Sequence, residues 1–214
     1  LAGRAMLVAG AGSNDTAHAV RIGVGSQEAG AQGLLINAPY YNRPSQEGVR
    51  RHIMSVVEAT DLPVMIYDIP GRTGVRITDG TLARLAEHER VLAVKDATGD
   101  VEQGFRRMEA TGLEYYSGDD GLNFAWLTHG ASGVISVVAH ADAHSWREMI
   151  TEVARRIRPL VSTIMGGGQG AVMAKEALLL QGRIPCAALR LPLVRAQADD
   201  VAALRGVLED VGLL

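Results

Sequence analysis

The 214 residues carry 21 basic and 24 acidic side chains, a formal net charge of −3, with 47% hydrophobic and 21% charged residues. Such a chain is long enough to bury one sizeable core and too apolar to be disordered, and its charge offers no basic surface for nucleic acid. No apolar run reaches the roughly 18 residues of a membrane span, and the lone Cys186 excludes an internal disulfide, so a reducing, cytoplasmic setting is expected.

Residues 1–6 hold neither an initiator methionine nor a signal-peptide pattern, so the chain is expected to open inside a longer one. Short apolar runs then recur at 6–9, 34–37, 64–67, 91–95, 113–116 (weaker) and 133–138. They are nearly continuous rather than alternating, which predicts parallel strands covered on both faces. Amphipathic stretches such as 46–59, 81–87 and 121–128 separate them, giving six β/α units and an α/β fold with right-handed crossovers. Beyond the sixth strand the pattern is helical: about 145–164, a glycine-rich joint at 166–170, then 171–181 and 199–211.

Spacing leaves two topologies open. Gly10 and Gly12 resemble the start of a dinucleotide-binding glycine pattern, but Asp15 stands where its third glycine is needed. A (β/α)₈ barrel needs eight units, so on that reading two, or roughly 60 residues, would be missing. Either way, functional groups are expected at the C-terminal ends of strands.

All five tyrosines, Tyr40, Tyr41, Tyr67, Tyr115 and Tyr116, fall at or just after a strand, where a ring can pack on the wall while its hydroxyl faces a cleft. Lys95 ends an otherwise apolar run, and only it and Lys175 are lysines in a chain that uses arginine everywhere else. Burial disfavours a charged lysine, and an unprotonated amine attacks carbonyl carbon, the Schiff-base route; a lysine snorkelling to solvent or paired with Asp96 is the plainer reading. Arg72 lies in the tight Pro70-Gly-Arg-Thr-Gly74 turn, where a guanidinium suits a carboxylate, or simply solvent. The six histidines are scattered, and His140 and His144 lack a third ligand, so no metal site is expected. Neither a Gly-x-Ser-x-Gly elbow nor a Walker A pattern occurs.

The segments Ala9-Gly-Ala-Gly-Ser-Asn-Asp-Thr16, Pro39-Tyr-Tyr-Asn-Arg-Pro44 with Gln46-Glu-Gly48, Tyr67-Asp-Ile-Pro-Gly-Arg-Thr-Gly74, Val94-Lys-Asp-Ala-Thr-Gly-Asp100, Tyr116-Ser-Gly-Asp-Asp120 and Gly133-Val-Ile-Ser136 together resemble the 4-hydroxy-tetrahydrodipicolinate synthase (dihydrodipicolinate synthase) family of pyruvate-dependent class I aldolases. The ending, with Met173-Ala-Lys-Glu-Ala177 and Leu189-Arg-Leu-Pro-Leu193, looks like the family's actinobacterial members. The resemblance implies a TIM barrel, with units three to eight in residues 1–158 and a C-terminal helical extension in 159–214. It implies that Lys95 forms the Schiff base with pyruvate and that Tyr67 moves protons. Tyr41 matches a relay tyrosine that reaches a neighbouring subunit's site in a dimer of dimers. Arg72 matches the residue that holds the carboxylate of L-aspartate 4-semialdehyde, and Ile135 a pyruvate-contacting backbone position. Asn14 and Tyr40 match positions of a lysine feedback site, and His18 stands where regulated members often carry an acidic residue. No metal or organic cofactor is implied.

Two departures accompany the resemblance. The family's Gly-Thr-Thr-Gly-Glu segment is absent, as expected if the chain opens just before the third unit, and the connection into residues 155–165 is shorter than in the family. The alternatives are a sister lyase of the N-acetylneuraminate lyase type, which differs in the loop after the tyrosine, and a non-catalytic fragment.

Overall fold

Apolar runs rich in valine, leucine and isoleucine pair side by side in parallel when helices cover their faces. The computed structural model has this arrangement and describes residues 3–142 and 151–214, with 151–158 as backbone only. Its strands are β1 (Val8–Gly10), β2 (Gly33–Asn37), β3 (Val64–Asp68), β4 (Val91–Asp96), β5 (Glu114–Ser117) and β6 (Gly133–Val134). They lie in the order β1-β2-β3-β4-β5-β6, and the pairings from β1 to β5 are parallel. Between them run α1 (Thr16–Glu28), α2 (Gln46–Glu58), the single turn α3 (Pro70–Thr73), α4 (Asp79–Ala86), α5 (Val101–Thr111) and α6 (Asn123–Thr128). Sequential parallel order is the connectivity of a (β/α)₈ barrel, whereas a dinucleotide-binding sheet reverses its order at a switch point. Gly12 serves packing, since a Cβ there would overlap the Asn37 amide, whereas a Cβ on Gly10 would meet nothing. Asp15, in the place of a third glycine, caps α1 by accepting the His18 N–H at 2.6 Å.

The contacts divide the chain into two units, one of residues 1–118 and 125–133, the other of 119–124 and 134–214. In the first, alternate strand residues Ile36, Ile66, Val94 and Tyr115 are fully buried, as are Val49, Ile53 and Val56 of α2 and Leu85 of α4. Trp126 stacks on Tyr115 at 5.4 Å between ring centroids and meets Phe105 edge-on at 5.1 Å. Gly104 leaves room for that indole: a Cβ there would overlap the ring.

In the second unit, α7 (Thr151–Gly166), α8 (Gly170–Leu180) and α9 (Ala198–Asp210) bury Leu160, Ile164, Met173, Ala177, Leu204 and Leu208 together. Glu176 is 1% exposed within α8, and Arg195 neutralises it through two hydrogen bonds of 2.8 and 2.6 Å. The glycine-rich joint separates α7 from α8, with Gly168 at φ 134°.

Three expectations need correction or trimming. The sixth strand stops at Val134 instead of 138, because the Asp120 carboxylate takes the Val137 and Val138 N–H groups at 2.9 and 3.1 Å and the chain turns into a 3₁₀ segment, Val138–His140. The first run, 6–9, is trimmed to Val8–Gly10, which pairs with β2, and Met6, Leu7 and Val8 are 63, 46 and 42% exposed. The helix expected over 145–164 is described from Thr151, and the His144 of the weighed histidine pair lies outside the described residues.

Replacing Gly104 with alanine should overpack the indole site and destabilise the protein by about 1–3 kcal/mol. A melting temperature lowered by several degrees is the expected result, and an unchanged one would show that Trp126 can move aside.

Candidate active site

The pairing of β3 with β4 contains an irregularity: Val64 lies opposite Val91, but Met65 lies opposite Ala93. Leu92, 50% exposed, is thus an extra residue on β4, a bulge of the kind that re-aims side chains near functional sites. Beyond it Tyr67 lies opposite Lys95 and Asp68 opposite Asp96. On the other side, Lys95 lies opposite Tyr116 and Asp96 opposite Ser117. Side chains alternate along a strand, so Tyr67, Lys95 and Tyr116 share one face of the sheet while Asp68, Asp96 and Ser117 share the other.

The first face is half-buried. Lys95 Nζ stands 4.1 Å from the centroid of the Tyr67 ring, so an amine and a phenol lie together at strand ends, a nucleophile beside a proton carrier. Gly118 makes space for the lysine: its N–H donates to the Asp96 carbonyl at 2.7 Å, and a Cβ would lie 2.8 Å from Lys95 Cε and 2.9 Å from Cγ.

The opposite face is buried and charged. Asp68 and Asp96 are each 2% exposed, and Arg107 of α5 is 4% exposed. Arg107 donates to Asp68 Oδ2 at 3.1 Å, to Asp79 Oδ1 at 2.6 Å and to the Ile77 carbonyl at 2.8 Å. Burial pushes the Asp68 carboxyl up to about 6, against the opposing pull of the Ile77 N–H and Arg107. Burial also raises Asp96, although the Thr98 N–H and hydroxyl both donate to its Oδ1 at 2.9 Å. The Tyr115 phenol is pushed up first by burial and then by Asp96.

Arg72 is exposed on α3, a turn begun by Pro70 and closed by Gly74 at φ 75°. Its loop is held at its far side by Gln46, whose Nε2 donates to the Arg76 carbonyl at 2.8 Å while its Oε1 accepts the Thr78 N–H at 2.9 Å. Tyr40 and Tyr41 follow β2 and are 43 and 87% exposed; Tyr41 and Arg43 have φ of 75° and 44°, the left-handed region that side chains rarely adopt. Asn14 is drawn to this loop, its carbonyl accepting from Asn42 Nδ2 at 2.9 Å. His18 is exposed in the first turn of α1. Ile135 belongs to the second unit, between β6 and the backbone that Asp120 ties down. In the same unit the other lysine, Lys175, donates to the Ala188 carbonyl at 2.6 Å.

The structure thus brings Tyr67 and Lys95 together, and it adds Gly118, Asp68 and Arg107, to which the sequence reading gave no role. Gly118 sits inside a quoted motif, so its signal was in view. Arg107 follows Arg106 on an amphipathic helix, and nothing in composition separates a buried arginine from a solvated neighbour. Among the described residues no group of three His, Cys, Asp or Glu side chains could hold a metal ion, and no helix is long and apolar enough to cross a membrane.

A sequential parallel sheet with a lysine and a tyrosine in register at the strand ends defines an α/β-barrel lyase of the class I aldolase type. The chain belongs to the dihydrodipicolinate synthetase family, whose sequence profile matches residues 1–210. It is 45% identical to the 4-hydroxy-tetrahydrodipicolinate synthase of Bifidobacterium animalis subsp. lactis, an alignment covering 97% of this chain and 72% of that protein. It superposes on dihydrodipicolinate synthase from Acinetobacter baumannii, solved in complex with pyruvate, with a TM-score of 0.94 at 33% identity, covering 100% of this chain and 77% of that one. The enzyme from Cyanidioschyzon merolae, solved with lysine bound, gives a TM-score of 0.92 at 36% identity over 98% of this chain and 75% of that one.

Alanine at Gly118 should push the Lys95 stem out of place. Trapping of a small α-keto acid on Lys95 by borohydride is expected to slow about tenfold or more, with far-ultraviolet circular dichroism unchanged. Undiminished trapping would show that the lysine has room to spare.

Proposed function

We propose that the protein condenses pyruvate with L-aspartate 4-semialdehyde, the 4-hydroxy-tetrahydrodipicolinate synthase reaction of lysine and diaminopimelate biosynthesis. The observation that carries this reading is the placement of Lys95 Nζ over the Tyr67 ring at the ends of adjacent strands. The names of the curated relatives support the synthase over a sister lyase. Lys95 attacks the ketone carbon of pyruvate, water leaves, and an imine forms. Loss of a methyl proton gives an enamine whose carbon adds to the aldehyde. The amino group of the aspartate-derived portion then displaces the lysine amine and closes the six-membered ring. The imine nitrogen takes up the electron pair when the methyl proton leaves, so the steps call for no metal or organic cofactor.

Tyr67 moves protons to and from the forming imine, and Arg72 holds the semialdehyde carboxylate through a charge-assisted pair. Ile135 supplies backbone to the pyruvate carboxylate. Tyr41 completes a proton relay in the neighbouring subunit of a dimer of dimers, a role its 87% exposure supports. Residues 1–158 supply the barrel units and 159–214 the helical extension of this cytoplasmic enzyme. Asn14, His18 and Tyr40 form the family's lysine-regulation region, a reading supported by the Asn42 bond that joins the loop of Tyr40 to Asn14.

Treatment with pyruvate and borohydride should add a reduced pyruvyl mass to the peptide bearing Lys95; labelling of Lys175, or of neither, would overturn the assignment. In Arg72→Ala, use of the semialdehyde should weaken by about tenfold or more, since a charge-assisted contact contributes roughly 1.5–3 kcal/mol, while formation of the pyruvate imine persists. An equal fall in both half-reactions would make Arg72 structural.

A further inference from the structure

We infer that Arg107, buried behind the sheet, is a positioning residue for Arg72: it closes the loop that carries Arg72 against the end of β3. The inference rests on the proposed function above for the role of Arg72 and adds the element that holds it in place.

The observation is where the three arms of Arg107 land. Nη1 reaches Asp68, directly before the loop; Nη2 reaches the Ile77 carbonyl and Nε reaches Asp79, both beyond Arg72. Asp68 itself adds a fourth tie across the same gap, its Oδ1 accepting the Ile77 N–H at 3.3 Å. One guanidinium therefore brackets residues 69–76 from both ends. Its planar fork presents donors in fixed directions, so it sets a distance and an angle between the two ends, which a flexible ammonium on a longer leash cannot do.

The lysine strand is not held in this way. Asp96, beside Lys95, accepts from Thr98 through the oxygen that is bonded, and the bonds of Arg107 go to Asp68, Ile77 and Asp79. Loss of the fork should thus disturb the semialdehyde clamp and spare the imine. Arg72, exposed on a four-residue turn, takes its position from the loop backbone. Gln46 holds the outer edge of the same loop independently, so weakening the inner tie should loosen the loop without unravelling it.

Two variants keep the test clear of misfolding. Arg107→Lys retains a cation for Asp68 but cannot reach three acceptors. Asp79→Asn removes the charge of a side chain that is 67% exposed. For each, the rate of borohydride-trapped pyruvate imine on Lys95, the KM of each substrate, kcat and the melting temperature are measured together. The expected result is a rise of about tenfold in the semialdehyde KM for Arg107→Lys and a smaller rise for Asp79→Asn, with the pyruvate KM and imine rate within about twofold of wild type. In the double variant Arg72→Ala/Arg107→Lys, the second change should add little to the first, because it acts through the residue already removed. Parallel loss in both half-reactions, or additive losses in the double variant, would overturn the positioning role. Unchanged semialdehyde kinetics in both single variants would overturn it as well. If the wild-type protein itself fails to trap pyruvate at Lys95, the catalytic reading falls, and this inference with it.

Discussion

The parallel pairing of β3 with β4 is the constraint on which the rest depends. Side chains alternate with a period of two, so a slip of one residue exchanges the faces of a whole strand. The bulge at Leu92 supplies one such step. Without it Tyr67 would lie opposite Val94, and Lys95 would face Asp68 instead of the phenol. An amine beside a carboxylate in a buried sheet is held as an ammonium, the form that cannot attack carbonyl carbon. Whether Leu92 joins the pairing or bulges out of it thus decides whether the lysine meets an anion or an aromatic face.

The same alternation sorts the chemistry into two layers. The half-buried face carries the reactive groups, and the buried face carries Asp68, Asp96, Arg107 and the Tyr115 phenol. Burying charges is costly, and the upward displacement of both carboxyls records that cost. The Arg107–Asp68 pair on that face adds little net stability over well-packed apolar residues, but it is selective: breaking it leaves a buried charge uncompensated, so it fixes which segments meet. Here those segments are the end of β3, the entry to α4 and the middle of α5.

Much of this arrangement could be read from the sequence, and the physical reasons for the exceptions are specific. Central strands announce themselves because both faces are buried, so 34–37, 64–67 and 91–95 read as unbroken apolar runs and match β2, β3 and β4 to within a residue or so. The same rule overextends the sixth strand. The run at 133–138 is diverted by Asp120, a side chain 17 and 18 positions earlier that claims the Val137 and Val138 N–H groups. Lys95 stood out because lysine is scarce here, and Tyr67 because tyrosines cluster at strand ends. The bulge left no trace, since an extra leucine in an apolar strand looks like any other. Arg107 was hidden for a related reason: its partners lie 28 to 39 positions earlier, and helical periodicity cannot see across that distance.

Barrels built from repeated strand–helix units invite the view that each unit is an exchangeable module. The Arg107 fork argues otherwise for this pair. The guanidinium belongs to the unit of β4 and α5, while its acceptors Asp68, Ile77 and Asp79 belong to the unit before it. A recombination joint placed between α4 and β4 would part the buried Asp68 carboxylate from the α5 guanidinium matched to it, leaving it the Ile77 N–H alone. The two units are therefore physically one exchange unit, and a joint that keeps the fork intact falls on either side of residues 64–111.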